Sequence, residues 1–424
     1  MNQYSDILKE ELLTALGCTE PIAIALLAAR FADALEEEPL AISIKCSGNI
    51  IKNVKSVTVP NTGGLKGIEV AVLAGVISKN WQASLEVLNA FSDADRARLH
   101  ELLKRDIVKV EHLQSPAVLH ITIEGKSKHN TVFAELIHSH TNIVKVVKNG
   151  AVLQLENYSM ADCVASKIDR ACLNIKDILH FADTVDLDSV SDILTHQETL
   201  NSRIFREGFQ ALPEKSIAKT LQRAATQMSI DHLPITKAKI ALVAAIEARM
   251  LGMSFPVVTN SGSGTQGLCV SIPVLIFAEE EAVSEEKKLR SLIVSNLISN
   301  HQKTGIGKLS AYCGAVSATT AAMAGIAYMK GYGYDTICRI ISNSLATISG
   351  MVCDGAKVSC ATKAATGLET AFLAYTMAVE GVSFAEGDGI VKGDIEKTIC
   401  AVGDLAAQGM RETDTVLLKI MLEQ

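Results

Sequence analysis

Apolar positions recur with helical spacing at both ends of the chain and with strand spacing in between. Over residues 5–16, Ile7, Leu8, Leu12 and Leu13 fall on one face of an amphipathic helix with Ser5 as its N-cap. Gly17 stops it, and Glu20-Pro21 suits the opening of a second helix over 22–35, because proline is tolerated in a first turn. Residues 22–29 are almost wholly apolar, so this helix should be buried. From Leu40 the period shortens to two, and 41–47 and 54–59 read as strands with Gly48-Asn49 as the turn. Helices are expected over 67–77 and 82–103. Strands return at 108–111, 118–124, 131–139 and 142–147, and Asn149-Gly150 is a hairpin signal.

After Ser159 the pattern is helical to the end, with helices expected over 161–181, 187–201, 216–228, 236–250, 268–282, 285–300 and 335–348. Two stretches interrupt it: a Gly/Ser-rich loop at 256–267 and a polar loop at 301–308. The fold class is therefore α+β. It is a mainly helical domain formed by 1–38 and 158–424, into which a smaller, mostly antiparallel α/β module of residues 39–157 is inserted. The first 38 residues are expected to pack on the C-terminal helices.

Composition narrows the function classes. Aromatics are 4% of residues while hydrophobics are 48%, so small side chains let helices approach closely. A net charge of -7 with no basic stripe excludes a nucleic-acid partner. Residues 1–11 are charged and polar, without the apolar run of a signal peptide. The apolar stretches 311–329 and 336–352 are broken by Ser, Thr, Asn and Gly, and fall short of the ~20 continuous apolar residues a membrane span needs. No membrane partner is expected. Ten cysteines without a secretion signal indicate reduced thiols and a cytoplasmic location. His138 and His140 share one sheet face and read as solvent-facing rather than metal-binding.

Candidate chemistry lies in the interruptions and beside glycines. Gly262-x-Gly264-x-x-Gly267 lacks the parallel βαβ context of a dinucleotide site, but a glycine-rich loop at a helix N-terminus can cradle a carboxylate. Gly305 to Lys308 lacks the P-loop pattern. Cys18 sits at a break between helices, where a helix N-terminus would favour its thiolate; a buried loop cysteine is the alternative. Cys353 and Cys360 on one helix would stand about 10.5 Å apart, long for two ligands of one cluster, but Asp354-Gly355 can bend the chain between them. Cys46, Cys163, Cys172, Cys269, Cys338 and Cys400 read as small buried apolar residues.

Four segments together carry a resemblance. They are Gly17-Cys18-Thr19-Glu20-Pro21, Asn260-Ser-Gly-Ser-Gly-Thr-Gln266, Tyr312-Cys313-Gly314-Ala315 and Cys353-Asp354-Gly355-Ala356-Lys357-x-x-Cys360. In this order they resemble the L-cysteine desulfidase family, which belongs with the alpha-chain catalytic domain of iron–sulfur L-serine dehydratases. In serine dehydratases the last cysteine pair is more widely separated and lacks Gly-Ala-Lys, which favours the desulfidase branch.

The resemblance implies a [4Fe-4S] cluster held by Cys313, Cys353 and Cys360 with one iron open, and no pyridoxal phosphate. It implies Cys18 as the base that takes the α-proton of a small amino acid. Asn260, Ser261, Ser263, Thr265 and Gln266 would hold the substrate; Lys357, read from its position rather than from the resemblance, either pairs the substrate carboxylate or is a solvated lysine. The implied reaction turns L-cysteine into sulfide, ammonia and pyruvate. Its alternatives are L-serine dehydration at the same cluster, a pyridoxal-phosphate lyase with structural cysteines, and a non-catalytic amino-acid or redox sensor. A homodimer is the assembly considered.

Overall fold

The computed structural model describes residues 3–160, 168–307 and 309–422. Cys163, Lys308 and the first seven residues of the helix expected over 161–181 lie outside the described residues. The architecture is α+β and mainly helical, with two separate hydrophobic cores.

The first part of the chain runs α1 (Gln3–Glu11), β1 (Thr14–Leu16), α2 (Thr19–Leu35), β2 (Ala41–Cys46), α3 (Gly48–Val54), α4 (Ile68–Ser78) and α5 (Asp93–Leu103). Five strands follow: β3 (Val108–His112), β4 (His120–Lys126), β5 (Thr131–Ile137), β6 (Ile143–Lys148) and β7 (Ala151–Leu155). Six of the strands form one sheet in the order β3-β2-β4-β5-β6-β7; β2 and β3 are parallel and the other neighbours antiparallel. Asn149 and Gly150 both have positive φ, 51° and 82°, as a two-residue hairpin turn requires. Inward residues such as Ile44, Ile121 and Leu136 join α2 and α4 in one core. The two helices cross at Gly75, where a Cβ would lie 2.1 Å from the Ala25 carbonyl oxygen.

The turn expected at Gly48-Asn49 instead opens α3, which extends to Val54, and of the strand expected over 54–59 only an isolated bridge at Thr58 forms. Ile50, Ile51 and Val54 are all buried, a spacing that suits a helix lying on the core better than a strand crossing it. His138 and His140 are buried rather than solvent-facing, because the loop after β5 folds inward; His138 Nε2 lies 2.8 Å from the Ser159 carbonyl oxygen.

The remainder is helical apart from the short strand β8 (Pro256–Val258). It comprises α6 (Ile175–Thr184), α7 (Ser191–Ala211), α8 (Ile217–Gln227), α9 (Pro234–Met250), α10 (Gly264–Glu280), α11 (Glu285–Ile306), α12 (Gly314–Met329) and α13 (Tyr334–Ile348). Three more helices, α14 (Ser359–Val379), α15 (Ile395–Asp404) and α16 (Arg411–Leu422), complete it. From Ala315 to Met329 every residue of α12 is buried, so its small side chains let neighbouring helices close around it. α11 continues through the stretch expected to be a polar loop and stops at Gly307, whose φ is 85°. Its polar residues Asn296, Asn300, Gln302 and Lys303 are buried, so polarity here does not mark solvent. Among the described residues no helix is long and apolar enough to cross a membrane.

The first 38 residues do not pack as one body on the C-terminal helices. Ile7, Leu8 and Leu12 enter the helical core, but α2 enters the sheet core, because residues 22–29 are apolar on all sides and buried among strands. Between them, β1 pairs antiparallel with β8, setting Thr14 opposite Val258 and Leu16 opposite Pro256. That ladder anchors the start of α2 beside the loop that opens α10. A second tie joins the cores: buried Lys52 of α3 contacts Asp414 of α16 at 2.5 Å and donates to the Cys353 carbonyl at 3.3 Å.

Candidate functional site

Cys18, the 263–266 segment and the three cysteines at 313, 353 and 360 line one cleft of about 90 Å³ at the boundary of the two cores. All but Cys353 are delivered by a helix start. Cys18 is the N-cap of α2, Ser263 of α10 and Cys313 of α12, while Cys360 is the second residue of α14. Four helix N-termini thus face the same space, and their free N–H groups and dipoles favour negative charge there.

The loop before α10 divides by role. Asn260 is fully buried; its amide donates to Asn296, and its oxygen accepts from Ser261 and Ser299. Ser261 also donates to Asn300 at 2.8 Å. These two residues fasten the loop to α11 and do not line the cleft, whereas Ser263, Thr265 and Gln266 do. The three glycines act separately. Gly262 takes a φ of 74°, Gly264 lies flat beneath the Arg249 guanidinium, and a Cβ on Gly267 would meet the Val258 carbonyl at 2.0 Å.

A short ladder brings two of the cysteines together. Tyr312 pairs antiparallel with Val352; the Cys313 N–H donates to Met351 at 3.0 Å and the Cys353 N–H to Ala311 at 2.6 Å. Strand alternation then puts Cys313 and Cys353 on one face as diagonal neighbours, roughly 7–8 Å apart. Gly355 turns the chain with a φ of 94°, so close to α3 that a Cβ would sit 2.7 Å from the Lys52 carbonyl oxygen. Cys360 follows in the next helical turn, its sulfur accepting from the Lys357 N–H at 3.4 Å. The bend expected of Gly355 is present.

Electrostatics reveal residues that the sequence motifs passed over. Burial pushes the Cys18 thiol up to about 11, and the Arg249 guanidinium pulls it back only in part. Desolvation therefore outweighs the helix end that was expected to favour a thiolate. Cys313 is raised to about 12, first by burial and then by the charge of Cys353. Lys303, at the end of α11, is 5% exposed and lowered by burial to about 8, against the opposing pull of Cys353 and Cys313. Burial raises the Glu20 carboxyl, but His140 and Arg249 outweigh it and hold it at about 2. His140 Nε2 stands 3.9 Å from Glu20, too far for a hydrogen bond. A Lys or Arg inside an otherwise buried apolar helix, as Arg249 is in α9, is the sequence signal that could have found these groups.

Lys357 does not line the cleft. Its ammonium is enclosed without a hydrogen-bond partner, and after burial its largest influences are Asp354, Cys360 and Cys353. Among the described residues no three His, Cys, Asp or Glu side chains gather closely enough to hold a single metal ion. The three thiols instead ring a cleft, the arrangement suited to a polynuclear group in which each metal takes one thiolate. Cys353 raises the pKa of both Cys313 and Cys360, and enclosed ammonium groups stand beside them, a setting that fits an anionic metal assembly. Elsewhere, Cys46 and Cys269 are buried as expected, Cys172 and Cys338 partly so, and Cys400 is exposed.

Residues 66–419 match the family model described as serine dehydratase alpha chain. A UPF0597 protein of Treponema denticola is 49% identical over 421 residues, covering 99% of this chain and 98% of that one. One of Finegoldia magna is 44% identical over the full length of both chains. One of Shewanella oneidensis is 34% identical over 99% of each.

Proposed function

The chain belongs to the serine dehydratase alpha-chain family, and from that premise we propose that it is an iron–sulfur lyase converting L-cysteine to sulfide, ammonia and pyruvate. The observation that carries this reading is the convergence of Cys18, the start of α10 and the three cysteines on one cleft. Cys313, Cys353 and Cys360 would hold a [4Fe-4S] cluster. When bound, the cluster supplies an iron with an open position, a Lewis acid for the β-substituent of the substrate.

The chain's own residues do the rest. Cys18, as thiolate, takes the α-proton; the released electron pair forms the Cα–Cβ double bond and the C–S pair departs on sulfur. Aminoacrylate then tautomerises and hydrolyses to pyruvate and ammonia. Ser263, Thr265 and Gln266 hold the polar end of the substrate, and Asn260 and Ser261 keep that loop in place. Lys357 and Lys303 offset the negative charge of the ligated thiolates, which moves Lys357 away from the carboxylate role its position suggested. The helix starts around the cleft exclude water and favour the thiolates.

L-Serine dehydration by the same residues is the second reading, and the family's description favours it. The short Cys353–Cys360 spacing with Gly355-Ala356-Lys357 favours cysteine. Protein prepared without oxygen should contain iron and acid-labile sulfide and release sulfide from L-cysteine. Cys353→Ala and Cys360→Ala should each lose iron and activity. Pyruvate from L-serine without sulfide from L-cysteine would give the second reading, and an iron-free protein would sink both.

A further inference from the structure

Three buried polar side chains around Cys18 each keep one atom without a hydrogen-bond partner. Arg249 is 4% exposed and forms no ion pair among the described residues. It donates to the Gly17 carbonyl at 2.6 Å and the Thr265 hydroxyl at 2.9 Å, while its Nε is enclosed and unpartnered. Asn53, 6% exposed, donates to Glu20 at 2.9 Å but leaves its own amide oxygen unpartnered. Gln266, 5% exposed, likewise leaves its amide oxygen unpartnered. All three line the cleft, as does the Glu20 carboxylate, which accepts from Asn53 at 2.9 Å and Thr19 at 3.3 Å, has His140 Nε2 3.9 Å away, and has no Lys or Arg within ion-pairing distance among the described residues.

Buried charges and amides are normally paired, so an enclosed guanidinium without an anion and acceptors without donors describe the complement of a missing ligand. The groups facing the cleft are of two kinds. Arg249 lies over Gly264 at the start of α10, where any Cβ would meet the guanidinium at 2.7 Å, so its open edge and the helix N–H groups address an anion together. Glu20 and the Asn53 oxygen are acceptors, and a primary ammonium has three donors to place.

We propose that the two charges of the substrate are read from opposite cores: Arg249, on α9 of the helical core, takes the α-carboxylate, while Glu20 on α2 and Asn53 on α3 of the sheet core take the α-ammonium. The Gln266 oxygen completes the ammonium's three acceptors. This gives the inserted sheet module a task in substrate recognition, and it rests on the amino-acid reading above. An acid that carries a hydroxyl in place of the amine leaves Glu20 unmatched, and an amino amide leaves Arg249 unmatched.

Calorimetric titration tests this without turnover, because L-alanine has no leaving group. The probes are L-alanine, L-lactate and L-alaninamide, titrated into the reconstituted full-length protein. Wild type should prefer L-alanine to either analogue by at least tenfold. Glu20→Gln should weaken L-alanine at least tenfold and erase its advantage over L-lactate. Arg249→Met should erase its advantage over L-alaninamide; if it does not fold, Arg249→Lys, which keeps the charge but loses the flat fork, should show the same trend. Wild-type affinity for L-alanine in a folded variant at either position overturns the proposal, as does a wild type that binds all three alike or binds none. If both variants lose L-alanine but wild type eliminates neither cysteine nor serine, the two-sided reading stands and the lyase reading falls. Turnover with unaltered L-alanine binding in the variants gives the reverse.

Discussion

At the scale of single residues, Cys18, the proposed base, is where the proposal is most exposed to test. A proton-abstracting thiol must be ionised, yet burial holds Cys18 at about 11 against 9.0 for a free thiol. The thiolate fraction then grows about tenfold per pH unit below that value. Elimination from saturating L-serine should therefore climb with pH through the alkaline range, and Cys18→Ser should lower it by roughly 10²–10⁴ and flatten the profile. Stability runs the other way. A raised pKa means that the neutral thiol favours the fold, an advantage complete below 9.0 and lost as pH rises through about 11. Thermal melts across that window should fall more steeply for wild type than for Cys18→Ser. Cys18 itself was legible in the sequence, because Gly17 and Pro21 mark the helix break around it. Arg249, Lys303 and Glu20 were not read as site residues, since what identifies each is a buried charge facing a cleft, which only the tertiary structure assembles.

At the scale of elements, glycines decide which surfaces can meet. Gly75→Val would force α2 and α4 apart at a contact with no free volume, and overpacking of this kind costs about 1–3 kcal/mol or more. A fall in thermal midpoint, with the helical core's near-ultraviolet signal kept, is the expected readout. Gly267→Ala should instead displace α10 from β8 and impair substrate binding. The tie from α3 to α16 gives another prediction. Asp414→Ala leaves the ammonium of Lys52, 2% exposed, without its carboxylate, a loss of about 3 kcal/mol on the scale of broken buried pairs. Denaturant unfolding measures it, and a change under 0.5 kcal/mol would show the pair to be incidental.

Pattern reading recovered the sheet's hairpin through Asn149-Gly150 and the bend at Gly355, because left-handed backbone needs particular residues. It failed over 48–54 and 301–306. In the first, Ile50, Ile51 and Val54 satisfy either period locally, and the α3 surface that receives Gly355 and Lys52's partners decides the outcome. In the second, polar residues on α11 are buried against other polar residues, which inverts the usual meaning of hydrophilic sequence.

At the scale of the whole molecule, the cleft belongs to neither core alone. The helical core carries Arg249, Gln266 and the three cysteines, and the sheet core carries Glu20 and Asn53. A ligand bridging them should couple their fluctuations. At about 100 times its dissociation constant, L-alanine should add roughly 2.7 kcal/mol of stability. Hydrogen exchange should then slow in α3 and α10 together, and protection confined to α10 would mean that the sheet core takes no part.

The ladder between β1 and β8 also sets an order in time. Cys18 leaves the ribosome about 300 residues before Cys313 does. At roughly 5–20 residues per second, synthesis of the intervening chain takes about 15–60 s. Until residues 234–258 follow, the thiol has neither α9 nor β8 to cover it, and any oxidation then would be sealed in by later folding. A thiol that is 2% exposed in the finished fold is thus open to oxidants while the chain is being made, and a reducing milieu serves its making.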